Sequence, residues 1–380
     1  MPKKFLILIV GAALLFPGGT AAQDQMEEPT QVMGLASMPG GIKVMTRNIY
    51  IGGDVDRVLS AEDLTQVPIL AAEVFAEMQS TNFPERAEAL ADEIAMFQPH
   101  LIGIQEATTI YFQMEGDAVI GGTEPATDVL YKFLTILMKA IKAHDLEYKV
   151  VIKVKNADVE IPMYNPDAVS GFSDVRVVDY DVILARSDVE VSRKTKHRFQ
   201  YALEVPGTTI VVPRGYVACD ATIDGRTYRF VNTHLEPFSD LLKMAQAQEL
   251  LMHLAYEMLP VILVGDFNTN GRAPREDVYK YIMQMGYVDA WTKNLLKSYR
   301  TYNKKGWTSG HDSDLRNDKS TLDQRIDHIW VRSNVWRNGT QDIGSVLADV
   351  VGDHPDDKTP TGLWPSDHAG VIVHIWIPDK

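Results

Sequence analysis

The chain is predicted to be a layered α/β (α+β) protein in which two mixed, largely antiparallel sheets pack on each other. Three observations lead there. Short apolar strands and amphipathic helices are interleaved along the chain, the strands outnumber what one modest sheet holds, and at least one pair is a clear hairpin. That hairpin joins residues 216–223 to 227–233 through Asp224-Gly225, a pair suited to the positive backbone angles of a tight turn. Antiparallel pairing of this kind argues against a doubly wound parallel sheet.

Taken in order, residues 42–49 read as the first strand and 84–97 as a helix with Ala87, Leu90, Ile94 and Phe97 on one face. Residues 101–105 form a short buried strand. A second amphipathic helix is predicted over 126–144, with Val129, Leu130, Phe133, Leu134, Leu137 and Ile141 as its apolar stripe. Strands follow at 148–154 and 180–185, then the hairpin, a helix over 239–258, a strand at 261–264, a helix over 274–285, and strands at 326–331 and 370–375. Residues 107–179 and 291–323 read as insertions or elaborated loops, the kind of segment that shapes substrate choice.

The N-terminus follows a different logic. Lys3 and Lys4 precede an apolar run over 5–16, and small residues Gly18 to Ala22 follow, which is the pattern of a signal peptide cut after Ala22. The run is too short for a spanning helix. Residues 23–41 have no periodicity and read as a flexible lead-in, so the folded region is expected over 42–380. The expected product is secreted or periplasmic, without a transmembrane anchor after cleavage and with no protein partner evident. Cys219, the single cysteine, lies in an apolar stretch and reads as a buried inert thiol. A net charge of -14 weighs against tight binding to a long polyanion, since the longest basic run, 193–198, is short enough to be a solvated strand end.

Chemistry is suggested by a repeated design: an apolar strand ends and a polar, ligand-type residue follows at once. It occurs at Asn48, at Gln105-Glu106, at Asn232-Thr233-His234, at Gly265-Asp266-Phe267-Asn268 and around Ser366-Asp367-His368. Polar residues at several strand ends build a site when those ends share one rim of a sheet. Carboxylate and amide oxygens are the donors a hard cation such as Mg²⁺ prefers, and an imidazole titrates near neutrality.

In this order, and with Arg325-Ile326-Asp327-His328 included, the motifs resemble those of the endonuclease/exonuclease/phosphatase (DNase I-like) superfamily, from about Ile42 to Trp376. The resemblance implies a four-layer α/β/β/α sandwich and a metal-dependent phosphoesterase using Mg²⁺, with Mn²⁺ as a substitute. It implies a metal set drawn from Asn48, Glu106, Asp266, Asn268 and Asp367, and a catalytic set of His234, Asp266, Asn268, Asp327 and His368. His368 is the expected proton acceptor, oriented by Asp327, although Asp266 takes that role in some relatives and the division stays open. His234 is the expected second imidazole, and Arg214 the candidate for the substrate phosphate, with a structural ion pair as its alternative. Arg47 departs from the commoner family wording, which has an aromatic residue there, and carries the same two readings.

The implied function is hydrolysis of a phosphodiester, in nucleic acid or phospholipid, by in-line attack of water. A phosphomonoesterase on the same site and a non-catalytic binding protein are the alternatives. Residues 306–327 fail the spacing of a calcium loop and read as a polar loop hydrogen-bonded around Asn317. Ile161-Pro162-Met163-Tyr164 are either contacts for an apolar substrate or loop anchors.

Overall fold

Alternation in burial along the central strands sets the architecture. In the computed structural model, which describes residues 40–271, 277–296 and 302–379, Val44 and Met45 are neighbours on one strand yet belong to different cores. The predicted leader and most of the lead-in lie outside these residues.

The first sheet contains β1 (Ile42–Asn48), β2 (Leu101–Gln105), β3 (Thr109–Gln113), β4 (Asp128–Lys132), β5 (Tyr148–Tyr164) and β6 (Phe172–Arg186). The second contains β7 (Glu190–Arg198), then, past a short ribbon of β8 (Leu203–Glu204) and β9 (Val211–Val212), β10 (Gly215–Ile223), β11 (Arg226–His234), β12 (Val261–Asp266), β13 (Val288–Asp289) and β14 (Asp327–Arg332). After a second ribbon, β15 (Trp336–Arg337) with β16 (Thr340–Gln341), the chain returns to the first sheet through β17 (Ser345–Val351) and β18 (Gly370–Trp376). The strand orders are β17-β18-β1-β2-β6-β3-β4, with β5 on β6, and β13-β14-β12-β11-β10-β7.

Each sheet has one parallel pair, β1 with β2 and β11 with β12, and its other pairings are antiparallel. Parallel strands finish on the same edge, and an antiparallel neighbour begins there. The C-terminal ends of β1, β2, β11 and β12 therefore meet the starts of β14 and β18 along one rim.

Between the sheets lies a core that includes Val44, Leu101, Ile183, Val217, Phe230, Ile262 and Val373. Helices Val67–Ser80, Phe83–Phe97 and Phe133–Ala143 cover the outer face of the first sheet, and Asp240–His253 with Asp277–Gln284 cover the second. The result is the expected four-layer α/β/β/α sandwich. Gly103 shows how closely the sheets approach, because a Cβ there would lie 2.5 Å from Val264 and 2.6 Å from Asn232. Beside it, Gln105 Nε2 donates to Asn232 Oδ1 at 2.6 Å, and Asn232 Nδ2 donates to the carbonyls of Ile104 and Val182. Asn232 is thus a buried clamp between sheets. Cys219 is buried between the same layers, where burial pushes its thiol up to about 12 and leaves it inert.

Two predicted elements differ. The helix expected over 126–144 is Phe133–Ala143 alone, because Asp128–Lys132 pairs with β3 and puts Tyr131 opposite Ile110. The helical stripe and a strand share the Val129-Leu130 dipeptide, and an available edge decides for the strand. The segment 107–179 is strand-rich rather than looped. Its largest part is the long β5–β6 hairpin, whose alternation is interrupted by bulges between Val150 and Ile152 and between Lys155 and Asp158. By contrast, the polar loop expected over 306–327 runs up to the start of β14 at Asp327, and in it Asn317 Nδ2 donates to Lys319 O at 2.7 Å and to Thr321 Oγ1 at 3.1 Å. The basic run lies on edge strand β7, where Arg193 pairs with Asp220 and Glu257. No helix among the described residues is long and apolar enough to cross a membrane.

Arg47 is 1% exposed and grips Glu93 through two hydrogen bonds, Nε to Oε2 at 2.9 Å and Nη2 to Oε1 at 2.8 Å. Its Nη1 donates to the carbonyl oxygen of His368. Arg47 therefore braces the backbone behind the rim and does not reach the cleft. Glu93→Ala leaves this guanidinium buried without its carboxylate, and the expected loss is about 3–5 kcal/mol of unfolding free energy. Urea titration of the variant checks it; a midpoint equal to wild type contradicts the brace.

Candidate active site

The rim gathers its side chains by turning the chain sharply where each strand ends. Glu106, directly after β2, has φ 59°, Tyr50 has φ 56° and Asn268 has φ 48°. These left-handed conformations are costly for residues with a Cβ and persist where the surroundings enforce them. The glycine of Gly265-Asp266 serves the same end: at φ 149°, a Cβ would meet Thr233 O at 1.9 Å. A bare backbone lets β12 close on β11 and bring Asp266 beside His234.

Asp266 is the hub. Its Oδ2 accepts from Asn48 Nδ2 at 3.2 Å and lies 3.6 Å from His234 Nε2 and 3.8 Å from His368 Nε2. Its Oδ1 accepts from the backbone N–H of Asn268 at 2.9 Å, and Asn268 Nδ2 is tied to Leu235 O at 2.9 Å. Asn48 also donates to Glu106 Oε1 at 2.9 Å, while its Oδ1 accepts from Tyr50 N at 3.0 Å. The Asn48 amide thus bridges the two carboxylates and holds them at a fixed separation. Glu106 Oε2 is secured by Ile51 N at 2.7 Å.

The two imidazoles are held in opposite states. Arg214 Nη1 lies 3.1 Å from His234 Nδ1, and a guanidinium can only donate, so Nδ1 accepts and Nε2 carries the hydrogen toward the cleft. Burial, Arg214 and His368 together hold the His234 pKa well below the ordinary value, so the ring is neutral. His368 Nδ1 meets Asp327 Oδ2 at 2.8 Å. Burial opposes the imidazolium there, but Asp327, Asp367 and Asp266 outweigh it and raise His368 well above the ordinary value. Asp327 is fixed in turn by the start of β14 and by Thr308 Oγ1, which accepts from its backbone N–H at 3.1 Å. Ser366 Oγ donates to Asn48 O at 2.9 Å and lies 3.3 Å from Asp367 Oδ1, tying the last motif to the first.

Carboxylates predominate. Burial, with Asp367 and Asp179 beside it, raises Glu106 to about 7; burial and Asp327 raise Asp266 to about 7; burial raises Asp367 despite His368. Asp327 Oδ1 is buried without a hydrogen-bond partner. Asp266, Asp327 and His368 each place a ligand-type atom within 4.8 Å of the others. Such crowding of donors fits a hard divalent cation at Asp266; Glu106 and Asp367, the other expected carboxylate ligands, lie outside this close group, with Glu106 joined to Asp266 through Asn48 Nδ2. Bound there, it would supply charge stabilisation at a phosphoryl oxygen.

Glu106, Arg214, His234, Asp266, Asn268, Asp367 and His368 line one cleft of about 830 Å³, Asn48 and Asp327 hydrogen-bond to its Asp266 and His368, and Arg47 stays outside it. Arg214 is the one lysine or arginine among the described residues that line it. Beyond the catalytic end, the wall is apolar: Leu64, Val74 and Phe75 from one side, Ile161 and Val177 from the hairpin, and Phe238 near the mouth. Of the four residues 161–164, Ile161 and Pro162 reach the cleft, whereas Met163 is buried core. Sequence reading missed Asp179 and Asp181, which β6 presents on one face. Asp179 lines the cleft and accepts from Asn156 Nδ2 at 3.2 Å; Asp181 is fully buried. The alternation Asp179-Tyr180-Asp181 was the available signal. It also missed Asp56, which lines the cleft.

The model of the Endonuclease/Exonuclease/phosphatase family matches residues 75–368. The chain belongs to this family. The match starts after Asn48, so the first strand's contribution to the site rests on the geometry above. Among solved structures, a mannosyl-6-phosphatase from Bacteroides thetaiotaomicron is similar at 18% identity and TM-score 0.52, covering 88% of this chain and 100% of its own. A family member from the same organism has 17% identity, TM-score 0.53 and coverage of 90% and 100%. One from Leptotrichia buccalis has 16%, 0.51, and 88% and 100%. At these identities the likeness shows the fold. No curated protein matches the chain.

Proposed function

We propose that this family member is an exported, Mg²⁺-dependent phosphodiesterase whose substrate carries an apolar alcohol, as a phospholipid does, in preference to nucleic acid or a phosphomonoester. The observation that carries this reading is the composition of the cleft. One guanidinium faces several carboxylates, which suits the single charge of a diester better than the two charges of a monoester. The apolar wall running from the catalytic end supplies a place for hydrocarbon and little for a second phosphate. The excess of acid over base weighs against a nucleic-acid track. Export rests on the leader pattern of the first 22 residues.

In this reading Asp266 Oδ2 accepts the proton of the attacking water, because it faces both imidazoles and the carboxylates around His368 favour the charged form of that ring. That departs from the sequence-based preference for His368. As the P–O bond to the alcohol breaks opposite the incoming water, the His368 imidazolium, fixed by Asp327, gives its Nε2 proton to the leaving oxygen, and the Nε2–H of neutral His234 faces the negative charge that develops on the phosphoryl oxygens. Arg214 contributes charge from behind His234.

The test compares bis-p-nitrophenyl phosphate, p-nitrophenyl phosphate, sphingomyelin in mixed micelles and plasmid DNA, each with Mg²⁺ and with chelator. Chelator-sensitive turnover is expected on the diesters, with kcat/KM highest for the lipid. Equal or faster hydrolysis of the monoester, or a preference for DNA, overturns the substrate assignment; no turnover on any of them returns the non-catalytic alternative. Ile161→Asp places a charge in the apolar wall. It should raise KM for the lipid about tenfold while leaving the small diester nearly unchanged.

A further inference from the structure

On the outer face of the second sheet, away from the cleft, three ligand-type side chains converge from two elements. His197 comes from edge strand β7, and Glu249 and His253 come from helix Asp240–His253, four residues apart and so on one face. One ligand atom from each lies within 4.8 Å of the other two. His197 Nε2 is 2.6 Å from Glu249 Oε1, and the His197 and His253 rings meet edge to face at 4.6 Å. We infer that His197, Glu249 and His253 form a second metal site, suited to a borderline transition ion such as Zn²⁺ and independent of the catalytic cation.

The arrangement has what a metal site needs beyond its ligands. Each helix ligand has one atom committed to an orienting partner and another left for a metal. Tyr216 OH lies 3.2 Å from His253 Nδ1, which leaves Nε2 for a metal; Gln200 N donates to Glu249 Oε2 at 2.9 Å, which leaves Oε1, the atom that meets His197 Nε2 and that a metal would take over, with His197 Nε2, by displacing the proton they share. Outer partners of this kind fix ring orientation and carboxylate geometry in metal sites. Tyr216 is itself buried against Phe199 and the helix, so the orienting hydroxyl is rigid. Two imidazole nitrogens and one carboxylate oxygen are the donors of three-ligand zinc centres that leave a position for water. The catalytic cleft, rich in carboxylates, selects a harder ion.

A metal here would join the edge strand to the helix that covers the sheet. It would also brace the approach to Arg214, since Phe199 N donates to Arg214 O at 2.9 Å and Tyr216 lies two residues beyond. The site is partly open to solvent, with 39% of the His197 side chain exposed, so an ion can enter without unfolding.

The experiment titrates Zn²⁺ by calorimetry, and Co²⁺ by visible absorption, into chelator-stripped full-length mature protein. One equivalent of Zn²⁺ is expected to bind to wild type and to Glu106→Gln, and to raise the melting temperature of both. His253→Gln and His197→Gln should each lose that equivalent and the Co²⁺ absorption bands. Tyr216→Phe should weaken binding by about 10–100-fold, as loss of an outer partner does. Either His variant that fails to fold, by circular dichroism, leaves the other to decide, and both residues have exposed surface. Absence of Zn²⁺ uptake by wild type overturns the inference; so does uptake that survives both His variants or disappears in Glu106→Gln.

Discussion

Asp266→Asn is expected to lower kcat by about a hundred- to ten-thousandfold while leaving the fold intact. Asn keeps the size of the side chain and can still accept from Asn268 N, so the loss reports the charge and basicity of Oδ2 together with the hydrogen bond it accepts from Asn48. That atom faces Nε2 of both His234 and His368 and accepts from Asn48, which makes it the one oxygen shared by every branch of the site. The pH profile separates a base from a mere support. A base must be unprotonated, so activity falls as pH drops through its pKa; burial and Asp327 raise Asp266 to about 7, and a cation beside it would move that limb lower. In Asp266→Asn the acid limb should flatten. If the limb persists and His368→Ala is the more damaging change, the base is His368. Near-wild-type kcat in Asp266→Asn removes the residue from the chemistry altogether.

The parts of this site that were legible in sequence are those encoded locally. Asn48, Glu106, His234 and Asp266 end apolar strands, and Asp327 and Asp367-His368 precede them, so a run of hydrophobic residues beside a ligand-type residue is visible without knowing any partner. The parts that were not legible depend on two distant segments meeting. Nothing near Arg47 announces Glu93, and nothing near Asn232 announces Gln105, although each pair is buried and hydrogen-bonded. The left-handed turn at Glu106 was hidden because glycine, the usual marker, is absent there. Residues 128–132 misled for a related reason: their apolar spacing suits a helix, and only the free edge of β3 makes them a strand. The apolar wall was hinted at by Ile161-Pro162, but a cleft assembled from helix, hairpin and ribbon has no signature in any one of them.

A rim that crowds Asp266 and Asp327 into buried positions and Glu106 and Asp367 into half-buried ones is unfavourable on its own, and its internal counter-charges are His368 and the more distant Arg214 and Arg86. Buried like charges either take up protons or attract a cation. The raised values of Glu106 and Asp266 express the first outcome, and the oxygen-rich donor set makes the second available under metal.

Glu106→Gln discriminates between them. The substitution keeps the acceptor oxygen that meets Ile51 N at 2.7 Å, so the strand end should stay in place, but it removes the negative charge nearest Asn48. If Glu106 holds the catalytic cation, half-maximal activity should need about 10–100-fold more Mg²⁺, a range that loss of even an outer partner reaches in metal sites. Activity at saturating Mg²⁺ should recover in part, because Asp266 and the imidazoles remain. Calorimetry should show the same weakening of Mg²⁺ without substrate. An unchanged Mg²⁺ titration, with kcat lowered at every concentration, would instead make Glu106 a positioning residue for Asn48 and leave Asp266 and Asp367 as the cation's carboxylates.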